Sequence, residues 1–245
     1  MFFKKKKVET VAVDYGFLNA DVHSHLLPGI DDGSQDIQTS LKLIRGMKAL
    51  GYRKLITTPH VMWDMYQNTR DTILKKLDQV RTKLKEESVD IELHAAAEYY
   101  IDDHLAELLL QKEPLLSFGN NLVLVEFSMA SPGFELKQVL FEMQMQGYQP
   151  VIAHPERYTY LQHKKDFYDE LKDAGCLFQL NILSLSGYYS ETVMELGRYL
   201  AKKQYYDLVG TDLHHVRHLD ALHNPSVISQ LQKLLDVGKI QNSRL

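Results

Sequence analysis

The chain has a single cysteine, Cys176, among its 245 residues. This excludes a disulfide within the chain and any metal site built from several thiolates. Tyrosine phosphatases with a cysteine nucleophile need the spacing C-x5-R, but the residue six positions after Cys176 is Ile182. Cys176 also opens the apolar run CLFQLNI, which predicts a buried and unreactive thiol.

Basic residues are not in excess over acidic ones, and long apolar runs are absent. The net charge of −4 provides no positive field for nucleic acid, and the only strongly basic run is the N-terminal MFFKKKK. No apolar segment follows it, which argues against a secretory signal, and no run reaches the roughly 18 apolar residues of a membrane span. These absences predict a soluble, cytoplasmic protein, with at most a weak contact between Lys4–Lys7 and an anionic membrane surface.

Linker-like segments are missing as well. The sequence contains 7 prolines and no stretch rich in glycine and serine. We therefore expect a basic tail over residues 1–17 and one domain over residues 18–245. The patterns G-x-S-x-G and G-x-x-x-x-G-K-[ST] do not occur, so a serine hydrolase and a P-loop protein lack support. The oligomeric state is not indicated.

The sequence does contain a regular alternation of short apolar runs and amphipathic stretches. The apolar runs predict strands over residues 18–22, 54–58, 91–97, 121–127, 150–153, 176–182 and 206–211. Apolar residues at helical spacing predict helices over residues 37–51, 72–87, 102–112, 134–148, 163–175, 191–204 and 226–238. Seven strand–helix units imply a parallel sheet and favour a closed or nearly closed (β/α)7 barrel, with an open doubly wound sheet as the alternative.

Histidines and carboxylates stand where most of the predicted strands end. In (β/α) barrels the active site is built at the carboxyl ends of the strands. A carboxylate within an apolar strand, such as Glu126 in VLVEFS, needs an ion-pair partner or a bound cation. We therefore predict a metal site rather than a set of core histidines. Its candidate ligands are His23, His25, Asp32, His60, Glu98, Glu126, His154, Asp212 and His214.

Nine candidate ligands are too many for one ion and suit two or three. The mixture of imidazole and carboxylate without thiolate is typical of manganese, iron or zinc. Three divalent ions would outweigh the charge of four carboxylates, so the site would attract a dianion such as a phosphate monoester. Arg157 offers a planar fork for phosphate oxygens. Its alternative role is a salt bridge to Glu126.

Several motifs together resemble one protein family. DVHSH, TTPH, AAAE, VIAHPERY and TDLH, in this order, resemble the PHP (polymerase and histidinol phosphatase) superfamily. The sequences DDG, EYY, VEFS and AHPERY are similar to the bacterial manganese-dependent protein-tyrosine phosphatases of capsule and exopolysaccharide operons, the CpsB/YwqE group. The match spans residues 20–215.

The resemblance implies a distorted (β/α)7 barrel of the PHP type that holds three divalent ions. Manganese is expected, with iron, zinc or magnesium as alternatives. The implied ligand sets are His23, His25, Glu98 and Asp212 for the first ion, Glu98, Glu126 and His154 for the second, and Asp32, His60 and His214 for the third. Glu98 would bridge two ions, and water activated by the ions would attack phosphorus.

The resemblance also implies roles in catalysis and substrate binding. The implied catalytic residues are Arg157, Glu98 and His154, of which Arg157 matches the family's phosphate-binding arginine. Arg217 is a loose match to a second arginine, and Tyr99 is a candidate to border the phosphotyrosine ring. The implied substrate is a bacterial tyrosine kinase with a tyrosine-rich tail that controls polysaccharide export.

Three other functions remain open at this point. A small-molecule phosphatase, such as histidinol-phosphate phosphatase, can use the same scaffold. A non-catalytic binding protein on a degenerate barrel would be expected to have lost ligands, whereas all nine are present. A nuclease or proofreading domain is disfavoured by the acidic balance of the chain and by the lack of a basic, aromatic stripe.

Overall fold

The structure, a computed structural model, describes residues 13–133, 135–235 and 240–245. Within these ranges it has an α/β fold with a curled parallel sheet. The strands are β1 (Ala20–Asp21), β2 (Lys54–Thr57), β3 (His60–Val61), β4 (Glu92–Ala95), β5 (Glu98–Tyr100), β6 (Leu122–Glu126), β7 (Gln149–Ala153), β8 (Leu177–Asn181) and β9 (Leu208–Gly210). The helices are α1 (Ile37–Ala49), α2 (Arg70–Glu86), α3 (Asp103–Gln111), α4 (Leu136–Met145), α5 (Asp166–Asp173), α6 (Glu191–Lys202), α7 (Val216–Leu222) and α8 (Pro225–Leu235).

The strands pair in parallel in two groups. One group has the order β1-β2-β4 and the other the order β3-β5-β6-β7-β8-β9. The groups arise because two short strands that were not predicted, β3 and β5, follow the predicted strands at β2 and β4 after a brief interruption. After β9, a parallel bridge joins Leu213 to Ser24, and the amide of His25 donates to the carbonyl oxygen of Leu213 at 2.9 Å. The chain segment after the last strand therefore pairs with the segment after the first.

The buried core explains why the apolar runs form strands. In β6, Val123, Leu124 and Val125 are fully buried, as expected of a parallel strand that is covered on both faces. The helices bury one stripe each, for example Leu41 and Ile44 of α1. No helix among the described residues combines the length and the apolar character needed to cross a bilayer.

Some boundaries differ from the predicted ones. The segment Val216–Leu222, predicted as loop, forms helix α7 with the His215 side chain at its N-cap. The predicted helix 163–175 is shortened to α5, because a 3-10 turn occupies Thr159–His163. The end of the predicted helix 226–238 lies outside the described residues. A cap or a tight turn needs only a few side-chain contacts, which periodicity does not report.

The predicted basic tail is only partly described. Lys4–Lys7 lie outside the described residues. Tyr15 is fully buried, stacks on the ring of Tyr52 with centroids 5.7 Å apart, and donates its hydroxyl hydrogen to the carbonyl oxygen of Leu222 at 2.9 Å. The packed structure therefore includes residues before position 18, and the boundary between tail and domain lies further toward the N-terminus than predicted.

Cys176 is buried, as its apolar surroundings in the sequence predict. It is 1% exposed at the start of β8, and burial raises the pKa of its thiol to about 11. It does not line the cavity described below. The thiol is therefore neither accessible nor ionised at neutral pH, and it has no nucleophilic role.

Asn242 joins the first and last strands at the amino end of the sheet. Its side-chain amide donates to the carbonyl oxygens of Ala20 at 2.9 Å and Val209 at 2.7 Å, and its side-chain oxygen accepts from the amide of Val209 at 2.9 Å. The residue is fully buried. One side chain thus satisfies three backbone groups of β1 and β9.

We expect Asn242→Ala to lower the free energy of unfolding by about 2–4 kcal/mol, because it leaves several buried backbone groups without partners. Urea denaturation followed by circular dichroism measures the change. Asn120→Ala, at an exposed position, is the matched control and should change stability by less than about 0.5 kcal/mol. Equal stability of the two variants would show that the Asn242 bonds contribute nothing.

Candidate metal centre

All nine predicted ligand side chains meet at the carboxyl end of the parallel strands. Neighbouring ligand atoms lie within 4.8 Å of one another in four overlapping groups. The groups are His25, Asp32, His60 and His214; His23, His154 and Asp212; His23, His25 and Glu98; and His60, Glu98 and Glu126. The ligands lie at or directly after the ends of several strands, except for Asp32, which lies in the segment between β1 and α1.

Glu98 lies at the middle of this cluster and is fully buried. Its Oε2 atom is 3.1 Å from His23 Nε2, 3.3 Å from His25 Nε2 and 3.2 Å from His60 Nδ1. Its Oε1 atom faces another histidine, with His154 Nε2 at 3.2 Å. The two oxygens of one carboxylate therefore face different imidazoles, which is the geometry of a bridging ligand.

Asp212 forms a second point of convergence. Its Oδ1 atom is 3.3 Å from His23 Nε2, 3.5 Å from His25 Nε2 and 3.3 Å from His214 Nδ1. Its backbone has a φ of +51°, and that of His154 has a φ of +33°. Left-handed backbone at residues other than glycine is strained, and such strain is concentrated at functional sites.

Asp32 and Glu126 complete the cluster on the side that faces solvent. Asp32 Oδ1 is 3.5 Å from His60 Nε2 and 3.4 Å from His214 Nε2, and its side chain is 54% exposed. Glu126 Oε1 is 3.2 Å from His60 Nδ1, and its Oε2 is 3.9 Å from His154 Nε2. His60 therefore lies between these two carboxylates.

Neighbouring oxygen atoms orient three of the histidines. Gln179 Oε1 lies 2.7 Å from His23 Nδ1, and Asp31 Oδ2 lies 2.9 Å from His25 Nδ1. The backbone oxygen of Asp212 lies 2.9 Å from His214 Nδ1. When each Nδ1–H donates to its oxygen, the Nε2 lone pair turns into the cluster, as a metal ligand requires.

The carboxylates favour positive charge on the histidines. Burial lowers the pKa of His23, but Glu98 and Asp212 outweigh this effect and raise the pKa to about 9. Burial likewise opposes charge on His60, yet Glu98 and Glu126 raise its pKa to about 10. The Glu98 carboxyl is itself buried, but the facing histidines lower its pKa well below the usual value. The cluster thus requires cations, which protons or metal ions supply.

Buried atoms without hydrogen bonds fit the same conclusion. Glu98 Oε1 and His60 Nδ1 are buried, and although ionisable partners lie 3.2 Å away, neither atom makes a hydrogen bond of acceptable geometry. Unpaired buried polar atoms are costly, and at a functional site they point to an ion. Imidazole and carboxylate donors without thiolate suit divalent manganese, iron or zinc. The residues therefore fit divalent metal ions.

A cavity of about 380 Å³ opens onto the cluster. Six of the candidate ligands reach it, and the remaining lining residues are Met62, Met65, Tyr66, Arg157, Tyr189, His215 and His218. Apart from Arg157, these seven were not predicted from the sequence. They lie on loops after strands, except for His218 on α7, and periodicity does not tell which of these side chains turn toward a site. A phosphate group in this cavity would contact ligands and the arginine together.

Arg157 lies in the cavity wall and pairs with Asp212. Its NH1 group donates to Asp212 Oδ2 at 2.7 Å, and its guanidinium carbon lies 4.7 Å from the ring centre of Tyr189. Asn181 Nδ2 donates to the same Asp212 oxygen at 3.0 Å and to the hydroxyl oxygen of Tyr189 at 2.9 Å. The alternative salt bridge to Glu126 is not formed in the structure.

Two predicted substrate-binding residues lie elsewhere. Tyr99 is 3% exposed and packs in the core, where its hydroxyl oxygen accepts a hydrogen bond from the amide of Leu116 at 2.9 Å. Side chains alternate along a strand, so Tyr99 points away from the face that Glu98 occupies. Arg217 is exposed on α7 and does not line the cavity. Neither residue lines the cavity. Tyr99 is turned into the core, whereas exposed Arg217 lies on the same helix as the lining residue His218, so its contact with a substrate stays a prediction.

The geometry can be compared with known proteins. The Bacillus subtilis tyrosine-protein phosphatase YwqE is 27% identical over 80% of this chain and 78% of its own length. The tyrosine-protein phosphatase CpsB of Streptococcus pneumoniae is 30% identical over 80% of this chain and 83% of its own length.

Solved structures show the same relationship. A chain from the crystal structures of YwqE and CpsB, described as unique metal-dependent tyrosine phosphatases, matches with a TM-score of 0.78 and 26% identity over 86% of both chains. Histidinol phosphate phosphatase from Lactococcus lactis, crystallised with zinc, L-histidinol and phosphate, covers 86% of this chain and 93% of its own, with a TM-score of 0.55 at 14% identity. The second likeness shows a shared fold alone.

The family model described as capsular polysaccharide synthesis, CpsB/CapC, matches residues 19–229. This range includes all nine candidate ligands and Arg157. The order of the motifs, the arrangement of the strands and the extent of the match agree. The chain belongs to the CpsB/CapC family of capsular polysaccharide synthesis proteins.

Proposed function

We propose that the protein is a metal-dependent protein-tyrosine phosphatase that hydrolyses phosphotyrosine in protein substrates. The observation that carries the proposal is the cluster around buried Glu98, which requires cations and opens onto a cavity with Arg157 in its wall. Membership of the CpsB/CapC family and the activity named for its relatives support it.

The proposal includes three metal positions, with manganese as the expected ion. The residues that would hold them are His23, His25, Glu98 and Asp212; Glu98, Glu126 and His154; and Asp32, His60 and His214. The groups of neighbouring ligand atoms include three members of the first set and all of the third, which supports those two sets. Support for the second set is the approach of His154 Nε2 to Glu98 Oε1 at 3.2 Å and to Glu126 Oε2 at 3.9 Å, while His60 Nδ1 also lies close to Glu98 and Glu126. Bound divalent ions would supply Lewis-acid stabilisation of phosphate oxygens and activation of water.

The residues of the chain would then bind and orient the substrate. Arg157 can donate two parallel hydrogen bonds to phosphate oxygens, and the ring of Tyr189 holds its guanidinium plane in the cavity wall. The tyrosinate leaving group has a pKa of about 10, so it departs more readily than a serine alkoxide. This difference favours phosphotyrosine over phosphoserine when the leaving oxygen departs without a proton.

We also propose that the curled sheet is a distorted barrel of seven β/α units. Seven of the nine strands among the described residues coincide with predicted strands, and the other two, β3 and β5, can be counted as continuations of β2 and β4. The bridge between Ser24 and Leu213 supports closure of the ring.

The proposal also includes a substrate and a location for the protein. The substrate is a tyrosine kinase of polysaccharide export and the location is the cytoplasm, and both depend on the family resemblance.

The proposal predicts that activity depends on metal and selects phosphotyrosine. Exhaustive chelation should abolish hydrolysis of a phosphotyrosine peptide, because the carboxylate cluster would then lack its cations, and Mn²⁺ should restore it. Metal analysis and phosphate release on the same preparation measure both effects.

Histidinol phosphate is the comparison substrate: faster turnover of it than of the peptide would favour the small-molecule phosphatase. Activity in protein shown to be metal-free would refute metal dependence, and no activity with either substrate would favour the binding protein.

Glu98 and Asp32 should differ in the number of ions that they hold. Glu98→Ala should remove two ions, because this carboxylate belongs to the ligand sets of the first and second metal positions. Asp32→Ala should remove one ion, because Asp32 belongs to the third set alone. Mass spectrometry of native protein loaded with Mn²⁺ counts the ions, and Glu195→Ala, at an exposed position of α6, is the matched control. Equal losses in the two variants would reject the bridging role of Glu98.

Arg157 should contribute to turnover and not to metal binding. Loss of two charge-assisted hydrogen bonds predicts a decrease of about 10- to 1000-fold in kcat/KM for Arg157→Ala, with unchanged metal content. Arg157→Lys should recover only part of the activity, because an ammonium group cannot form the fork. Arg198→Ala on α6 is the matched control. A variant that loses thermal stability but keeps its specific activity would instead assign Arg157 a structural role through Asp212.

A further inference from the structure

The cavity has one apolar wall, formed by the turn of residues 62–66. The amide of Tyr66 donates to the carbonyl oxygen of Met62 at 2.7 Å, and the amide of Met62 donates back to the carbonyl oxygen of Tyr66 at 3.2 Å. The amide of Met65 also donates to the Met62 oxygen, at 3.0 Å. The 62–66 turn is therefore a closed, hydrogen-bonded loop that begins two residues after the candidate ligand His60.

The 62–66 turn is fixed to its surroundings at several points. The side-chain amide of Asn68 donates to the carbonyl oxygen of His60 at 2.8 Å. The amide of Trp63 donates to Asp102 Oδ2 at 3.1 Å, and the Trp63 ring stacks on the ring of His104 with centroids 3.7 Å apart. A turn that is held in this way presents its side chains without a large cost of ordering on ligand binding.

Two of the three side chains that the turn presents to the cavity, those of Met62 and Met65, have no group that can donate a hydrogen bond to phosphate. Met62, Met65 and Tyr66 line the cavity, and Met65 is 64% exposed to solvent. The Tyr66 ring lies parallel to the imidazole of His60, with centroids 5.5 Å apart and 14° between their planes. Thioethers and an aromatic face gain free energy by contact with apolar groups, so they match the part of a substrate next to its phosphate.

We propose that the 62–66 turn binds the phenyl ring of the leaving group and so selects aryl over alkyl phosphates. This inference rests on the proposed phosphatase function and deepens it. An aromatic ring can pack against the methionine thioethers and against the edge or face of Tyr66. An alkyl phosphate of the same charge gains the same contacts with the metal centre and Arg157 but leaves the apolar wall uncovered. The turn therefore distinguishes substrates whose phosphate groups are identical.

Direct binding of phosphonates tests this role without requiring turnover. Phenylphosphonate and methylphosphonate share a phosphonate group, which is not hydrolysed, and differ in having a phenyl ring or a methyl group on phosphorus. In manganese-loaded protein, the double variant Met62→Ser and Met65→Ser should bind phenylphosphonate about 10-fold more weakly, which corresponds to about 1.4 kcal/mol. Its Kd for methylphosphonate should change by less than about two-fold. Calorimetry measures both constants, and metal content is measured on the same samples.

Two further variants make the test specific. Met65→Ser alone, at an exposed position, should show a smaller shift of the same kind, about three-fold, even if the double variant is unstable. Met145→Ser, at a 68% exposed position of α4 outside the cavity, is the matched control and should bind both phosphonates as the unsubstituted protein does.

Either of two results would overturn the assignment. If the affinities for both phosphonates fall equally, the turn supports the phosphate site and does not bind the ring. If the affinity for phenylphosphonate is unchanged in both serine variants, the turn does not contact the ring. Failure of the proposed phosphatase function is a separate result: the unsubstituted, manganese-loaded protein would then release no phosphate from a phosphotyrosine peptide.

Discussion

The structure depends on one buried carboxylate, Glu98, and on the positive charge that must surround it. A fully buried carboxylate is costly unless cations or hydrogen-bond donors compensate for the loss of water. Here four imidazoles approach its two oxygens to within 3.1–3.3 Å. Those imidazoles come from segments far apart in sequence, so the fold must bring the ends of several strands to one point. The parallel sheet provides this geometry, because its strands all end at the same edge.

The two interruptions of the sheet also help to bring imidazoles to Glu98. β2 and β4 pair in one group of strands, whereas their continuations, β3 and β5, pair in the other. His60 and Glu98 are the first residues after these interruptions and are direct partners in the β3–β5 register. Left-handed backbone at His154 and Asp212 adds strain of about 1–3 kcal/mol at each residue. The surrounding hydrogen bonds, such as that from the Asp212 amide to the carbonyl oxygen of His23, hold this strained geometry.

Sequence reasoning identified the nine side chains that cluster, and Arg157, but not the rest of the cavity wall. Glu126 and His154 could be predicted because a charged or polar side chain at the end of a buried apolar strand is costly unless it binds an ion or a polar partner. Tyr99 was assigned to the site because it follows Glu98, although alternation along the strand turns it into the core. The methionines of the 62–66 turn gave no signal, since exposed and buried methionines look alike in sequence. The direction of a loop side chain depends on tertiary contacts, which a local pattern does not contain.

The Asn242 side chain has a consequence for the order of events during synthesis. It binds the carbonyl oxygen of Ala20 across 222 positions of the sequence. The first strand therefore lacks this partner until residue 242 has been synthesised. The backbone contacts between the segments that carry His23 and Asp212, such as the bridge between Ser24 and Leu213, do not involve Asn242 and can form earlier. The Asn242 bonds thus complete the junction of β1 and β9 after the segments around the cluster have already met.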